Sequence, residues 1–348
     1  MPRMRILLTG ADSLTGSHIL GLLLSDNDLV VRAAVGTREA AYAIRQQYRQ
    51  GTSSTVDLEV VPEKDLAVPG IFNNALTGDS FDTVVHTLTA NPSEQADCLA
   101  RFINLVSESI INFLRSTQQF AKQVRRVVLI TSLTPFARWL QIERNSTVVD
   151  SEYILAASQA GDNIVHDAVS KWLRNSGAHF DVVYITAPSC YGPTTRTLET
   201  SSDLLEANRR IWNICSNEHR ERARTPPYGI AHFVDARDLA LASLRTIFTP
   251  RAGNQRFLVS AGLMPSSSDI AEFLVANFPE LRGRVSMNGS PQDSTVPELS
   301  SLEPLDTSLA GAILGITRYR SAEETIIDTA RQILDLQQRK EWKRIIQS

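Results

Sequence analysis

Cysteine is scarce in this chain, with three among 348 residues, at Cys98, Cys190 and Cys215. Three widely spaced thiols make no disulfide framework and have no zinc-ligand spacing, so a reducing cytoplasm is the expected setting and no metal is expected. An excess of charge is lacking too. Lys and Arg number 35 against 38 Asp and Glu, a formal net charge of −3, so there is no basic footprint for nucleic acid. No apolar run approaches the roughly 18–20 residues that span a bilayer, and Ile6–Leu8 is too short for a secretory core. Repeats and low-complexity tracts are absent. What remains is a composition of 43% hydrophobic and 21% charged residues, that of a globular protein acting on a small molecule, and it does not decide between a monomer and a homodimer.

Strand-like runs alternate with helix-length segments. Arg5–Thr9, Leu29–Val35, Leu58–Val61, Thr83–Leu88, Arg126–Thr131 and Val182–Ala187 are the expected strands. Thr15–Ser25, Arg38–Arg49, Ala96–Lys122 and Ser151–Asn175 have helical period. This alternation predicts an α/β fold, a Rossmann-type doubly wound parallel sheet. After Pro193 the segments shorten and turn polar, as in Ser286–Leu302, which predicts a smaller C-terminal substrate-binding region. Residues 1–192 plus 228–262 are assigned to the dinucleotide-binding part, with Ile230–Val234 and Phe257–Ser260 woven back into it. Residues 193–227 plus 263–348 are assigned to the cap.

Thr9-Gly10-Ala11-Asp12-Ser13-Leu14-Thr15-Gly16 joins the first strand to the first helix. Glycines there allow a tight turn and a close backbone approach to a pyrophosphate on the helix N-terminus. The loop resembles the TGxxGxxG fingerprint of the extended short-chain dehydrogenase/reductase family, in its dihydroflavonol-reductase-like and aldehyde-reductase-like branch. Further matches follow in chain order: Asp65-Leu66, His86-Thr87-Leu88-Thr89, Arg126 to Ser132, Pro188 to Pro193, and Phe233-Val234-Asp235-Ala236-Arg237-Asp238-Leu239-Ala240. The resemblance implies an NADP(H) site at Gly10, Ser13, Leu14, Gly16, Asp65, Leu66, Leu88 and Pro188.

Departures from the family pattern shape the functional expectation. The middle glycine is Ser13, and Asp12 puts a carboxylate inside the phosphate loop. Gly36 replaces the usual Arg after the second strand, leaving Arg32 and Arg38 as candidates for a 2′-phosphate. No Asp or Glu stands there either, which weighs against NAD. The resemblance implies a Ser, Tyr, Lys set with Tyr and Lys four apart on one helix. Ser132 matches the Ser, while ungapped counting places the pair at Ser158 and Asp162. Tyr153 lies five residues upstream, but its lysine position is Ala157, and Lys171 is about five turns away. Asp162 and His166 share a helix face and form a candidate acid–base pair. Thr89, Tyr191 and Trp212 are expected to line the substrate pocket, and His86 to be structural. Altered cofactor loop and proton-transfer positions together predict weakened or lost NADP(H) binding and non-redox chemistry on a hydrophobic, secondary-metabolite-like substrate, by cyclisation, isomerisation or dehydration. The alternative is an NADP(H)-dependent oxidoreductase that reduces a ketone or aldehyde.

Overall fold

The computed structural model describes residues 3–48, 56–61, 66–88, 98–144, 150–204, 206–216, 227–283, 285 and 302–347. Its centre is a seven-stranded sheet in the order β3-β2-β1-β4-β5-β6-β9, parallel throughout. The strands are β1 (Met4–Thr9), β2 (Leu29–Val35), β3 (Asp57–Val60), β4 (Thr83–His86), β5 (Arg126–Ser132), β6 (Asp181–Ala187), β7 (Ser189–Tyr191), β8 (His232–Asp235), β9 (Arg256–Leu258) and β10 (Gly262–Leu263). Central strands read as continuous apolar runs because both faces are covered. Alternate residues then divide between two cores. Leu7, Val84, Val127 and Leu129 face one layer, and Ile6, Leu8, Val85 and Val128 the other.

The first layer holds α3 (Asn73–Leu76), α4 (Leu99–Phe120), α5 (Thr134–Arg144) and α6 (Ser151–Ser176). The second holds α1 (Leu14–Leu24), α2 (Arg38–Gln47) and α8 (Ala236–Phe248). The cap contains α7 (Glu206–Ser216), α9 (Ser267–Asn277) and α10 (Ala322–Gln347), closing a third core with Ile211, Leu274 and Ile333. Helix α6 starts where the Asp150 carboxylate accepts the amides of Glu152 and Tyr153 at 3.0 and 3.1 Å. It stops at Gly177, whose φ of 62° is the left-handed conformation that ends helices cheaply only at glycine.

Two features differ from the sequence expectation. Helix α5 stands directly after β5, where no element was expected, and packs on α6. Ile230–Val234 does not rejoin the main sheet. Its strand, β8, pairs with β7 and β10 in a separate three-stranded sheet, and only β9 returns beside β6. The Ser286–Leu302 loop, apart from Leu302, lies outside the described residues.

Candidate functional site

The strand order reverses direction between β1 and β4, so the C-terminal ends of those strands form the crevice where ligands of such sheets bind. Gly10 sits at the end of β1 with φ +67°, and a Cβ there would strike the Thr87 hydroxyl and come within 2.8 Å of the Leu88 side chain. A Cβ on Gly16 would run into the Gly10 carbonyl oxygen. Both glycines are therefore required by close approach of backbone to backbone and wall. Ser13 is the N-cap of α1. Its Oγ accepts the Gly16 amide at 2.9 Å, and its own amide donates to the Gly10 carbonyl at 3.0 Å. The amides of Leu14 and Thr15, first in the helix, have no carbonyl within it to accept them. They present two donors at the positive end of the helix dipole, which fits a phosphate.

The Asp12 carboxylate is turned toward β2. Its Oδ2 accepts the Gly36 amide at 3.1 Å, and its Oδ1 is buried with no hydrogen-bond partner among the described residues. The phosphate position over α1 is thus spared that charge. Leu88 closes the wall beside Gly10. Thr87 Oγ1 donates to the Thr9 carbonyl at 2.8 Å and pins that wall to β1. Pro188 is buried between β6 and β7. Leu66 is buried in the core cluster beneath α4, while Asp65 and Thr89 lie outside the described residues.

Arg32 is not available for a 2′-phosphate. Its guanidinium is held by Asp57 at 2.5 Å, Asp79 at 3.2 Å and the Thr77 carbonyl at 2.6 Å, and it lies over the Phe81 ring. Mid-strand on β2, it serves the sheet edge. Arg38 is exposed at the start of α2.

Comparison with known proteins now bears on this geometry. No family model matches the chain. The ketoreductase azaE of Aspergillus niger is 27% identical over 343 residues, covering 95% of this chain and 98% of the relative. The NADPH-dependent methylglyoxal reductase of Saccharomyces cerevisiae is 23% identical over 363 residues, covering 97% and 100%. Among solved structures, Gre2 from Candida albicans in complex with NADPH superposes with a TM-score of 0.71 at 18% identity, covering 96% of this chain and 99% of that one. Over nearly its whole length the chain is similar to these reductases.

Against the family pattern that the sequence resembles, α6 carries no Tyr and Lys four residues apart. Ser158 is fully buried on α6, and its Oγ has no hydrogen-bond partner among the described residues. One turn on, Asp162 is 1% exposed and faces the sheet. Its carboxylate accepts Arg256 Nη2 at 2.6 Å, Thr186 Oγ1 at 2.7 Å and Thr131 Oγ1 at 3.2 Å. Asp162 is therefore the tether of α6 to β5, β6 and β9, and the expected acid–base partnership with His166 is not formed. His166 rests edge-on against Tyr184, 5.1 Å between centroids, with Nδ1 3.7 Å from Asp167. Burial first, and then the Arg256 charge, lower the pKa of its imidazole. Tyr153 is 42% exposed in the first turn of α6, at the helix end rather than against the sheet.

Ser132 caps α5: its Oγ accepts the Thr134 amide at 3.1 Å and donates to Thr134 Oγ1 at 3.0 Å. Tyr191 is fully buried in the cap core, edge-on to Phe233 and beside Arg210. Trp212 packs against the same core. Neither lines the cradle. Strand alternation turns Cys190 to the opposite face from Tyr191, and its Sγ lies 3.5 Å from Thr15 Oγ1 beside the phosphate loop. Burial pushes that thiol up to about 12, so it is inert packing rather than a nucleophile.

His86 is buried, its Nδ1 2.8 Å from Thr9 Oγ1 and its ring stacked on Phe113 at 3.9 Å. Burial holds its pKa down at about 3, as a structural neutral imidazole. Sequence reasoning missed Thr131, Thr186 and Arg256, whose meeting with Asp162 is set by topology alone. Among the described residues there is no cluster of metal-ligating side chains and no helix long and apolar enough to cross a membrane.

Proposed function

We propose that the chain binds a nicotinamide dinucleotide and reduces a ketone or aldehyde group of a small molecule, without a Tyr–Lys proton relay. The observation that carries this is the cradle: Gly10 and Gly16 packed with no room for a Cβ, below two open amides of α1. Full-length relatives named as a ketoreductase and an NADPH-dependent reductase support the same class. The dinucleotide, when bound, supplies the hydride. The Leu14 and Thr15 amides would hold its phosphate, with Leu88 beside Gly10 and Cys190 beside Thr15 walling the loop. The proton for the product would come from solvent, since Ser158 and Asp162 are turned into the protein.

A second reading keeps the scaffold and drops the redox step, so that the crevice shapes a cyclisation, isomerisation or dehydration. The sequestered Asp162 favours it, because that position is spent on stability rather than proton transfer. Titration with NADPH, followed by nicotinamide fluorescence, and then absorbance at 340 nm with a panel of aldehydes and ketones separate the two. Binding with oxidation of NADPH is the expected result. No binding at millimolar NADPH would sink the reductase proposal.

A further inference from the structure

Among the described residues, β2 itself offers no unpaired cation at its end, where a 2′-phosphate of the adenosine ribose would rest, and Arg38 is the nearest in sequence. Gly36 has no side chain, Arg32 is consumed by two aspartates, and Arg38 is exposed on α2. Yet a guanidinium does reach that corner, from the other region of the molecule. Arg196 Nη2 approaches the Asp12 carbonyl to 3.5 Å, and Asp12 is the residue bonded to the Gly36 amide. The segment that carries Arg196 is fixed on both sides. His18 of α1 meets the Pro193 carbonyl at 2.8 Å, and Gln47 of α2 donates to the Thr195 carbonyl at 3.1 Å. From the cap, Gln332 makes paired bonds to Thr194 at 2.8 and 2.7 Å, and Arg339 donates to the Leu198 carbonyl at 2.7 Å. Beside Arg196 a cleft of about 550 Å³ opens between this segment and Tyr42 and Gln46 of α2.

We propose that Arg196 reads the 2′-phosphate of NADP(H), supplying from residues 193–198 the charge that the second strand lacks. The inference rests on the dinucleotide reading above. With a pyrophosphate over α1, a group at Asp12 and Gly36, on the β2 side of the loop, would face the adenosine ribose instead. A lone Asp12 carboxylate there would repel a dianion, and the Arg196 guanidinium near the Asp12 carbonyl offsets that charge and offers donors to a phosphate. Because the backbone that carries Arg196 is anchored to α1, α2 and α10 through residues 193–195, little main-chain ordering is needed on binding.

The test compares NADPH with NADH, and 2′,5′-ADP with 5′-AMP, by calorimetry on the wild-type protein, Arg196→Gln and Arg196→Lys. The wild type should prefer the 2′-phosphorylated ligand of each pair. Arg196→Gln should weaken that ligand about tenfold to a hundredfold, leave NADH and 5′-AMP within about twofold, and keep the melting temperature. Arg196→Lys should restore part of the loss. An unchanged NADPH-to-NADH ratio in Arg196→Gln overturns the assignment while leaving dinucleotide binding standing. A wild-type protein that binds neither dinucleotide overturns the reading on which it rests.

Discussion

Replacing Asp162 by Asn separates a tether from a proton-transfer group. The carboxylate takes three donors, at 2.6, 2.7 and 3.2 Å, from Arg256, Thr186 and Thr131. Asparagine offers one acceptor oxygen in that space, and its amide hydrogens then face donors. Breaking a fully buried ion pair costs about 3–5 kcal/mol, and losing one hydrogen bond to a charged group about 1.5–3 kcal/mol. Arg256 is 30% exposed and keeps Asn163 at 2.6 Å, so part of its charge stays compensated. The expected loss is therefore about 2–4 kcal/mol. With an unfolding entropy of about 2.1 cal/mol/K per residue over 348 residues, this lowers the melting temperature by about 3–5 °C. Calorimetry and urea unfolding measure it, and a double-mutant cycle with Arg256→Met should return a coupling of at least about 1 kcal/mol. Turnover, once a substrate is in hand, should change less than about tenfold. Stability within about 0.5 kcal/mol of wild type, together with a hundredfold loss of turnover, would refute the tether and restore Asp162 to the chemistry.

Gly16→Ala drives a Cβ into the Gly10 carbonyl, so dinucleotide affinity should fall more than about tenfold and stability by about 2–4 kcal/mol. Unchanged nucleotide titration and melting would contradict the cradle geometry. His86 has its pKa lowered from 6.5 to about 3, so the fold favours its neutral form. Its contribution is whole above pH 6.5 and lost as pH falls toward 3, at about 1.4 kcal/mol per unit. Urea curves should show His86→Gln losing about 3 kcal/mol less than wild type between pH 6.5 and 4, and parallel losses would show that burial does not hold the imidazole neutral. Of the three cysteines, Cys98 is exposed, Cys215 is buried and the Cys190 thiol is pushed up to about 12. Native protein should therefore react with iodoacetamide at Cys98 alone, read by peptide mass, and labelling of Cys190 before unfolding would mean that its pocket is open.

The parallel sheet was legible because its signal is local. Val127, Val128 and Leu129, or Ile6, Leu7 and Leu8, are apolar runs whose alternate members meet different helix layers. The phosphate loop was legible for the same reason, being eight contiguous residues with glycines at its ends. Helix α5 carried a usable sign that went unread, since Ser132-Leu133-Thr134-Pro135 sets a capping hydroxyl and an early proline before Phe136 and Trp139. The separate small sheet was not readable, because β7 and β8 carry the same apolar pattern as strands of the main one. The role of Asp162 was hidden more deeply. Its spacing to His166 is visible in the chain, but its partner stands 94 residues downstream on β9. Tyr191 and Cys190 illustrate the smallest such ambiguity, one residue of strand register deciding which side chain meets the crevice.

The late return of β9 has a consequence during synthesis. At about 5–20 residues per second, the ribosome takes roughly 5–20 seconds to pass from Asp162 to Arg256. Through that interval β5 and β6 can pair and α6 can coil, but the carboxylate on its inner face has only two hydroxyls to meet. The nascent crevice therefore matures in two stages, first the loop and walls contributed by residues up to Cys190, then the seating of α6 when the final strand slides in beside β6. A truncated chain ending before Arg256 would hold its phosphate loop while its longest sheet-packed helix waits for an anchor.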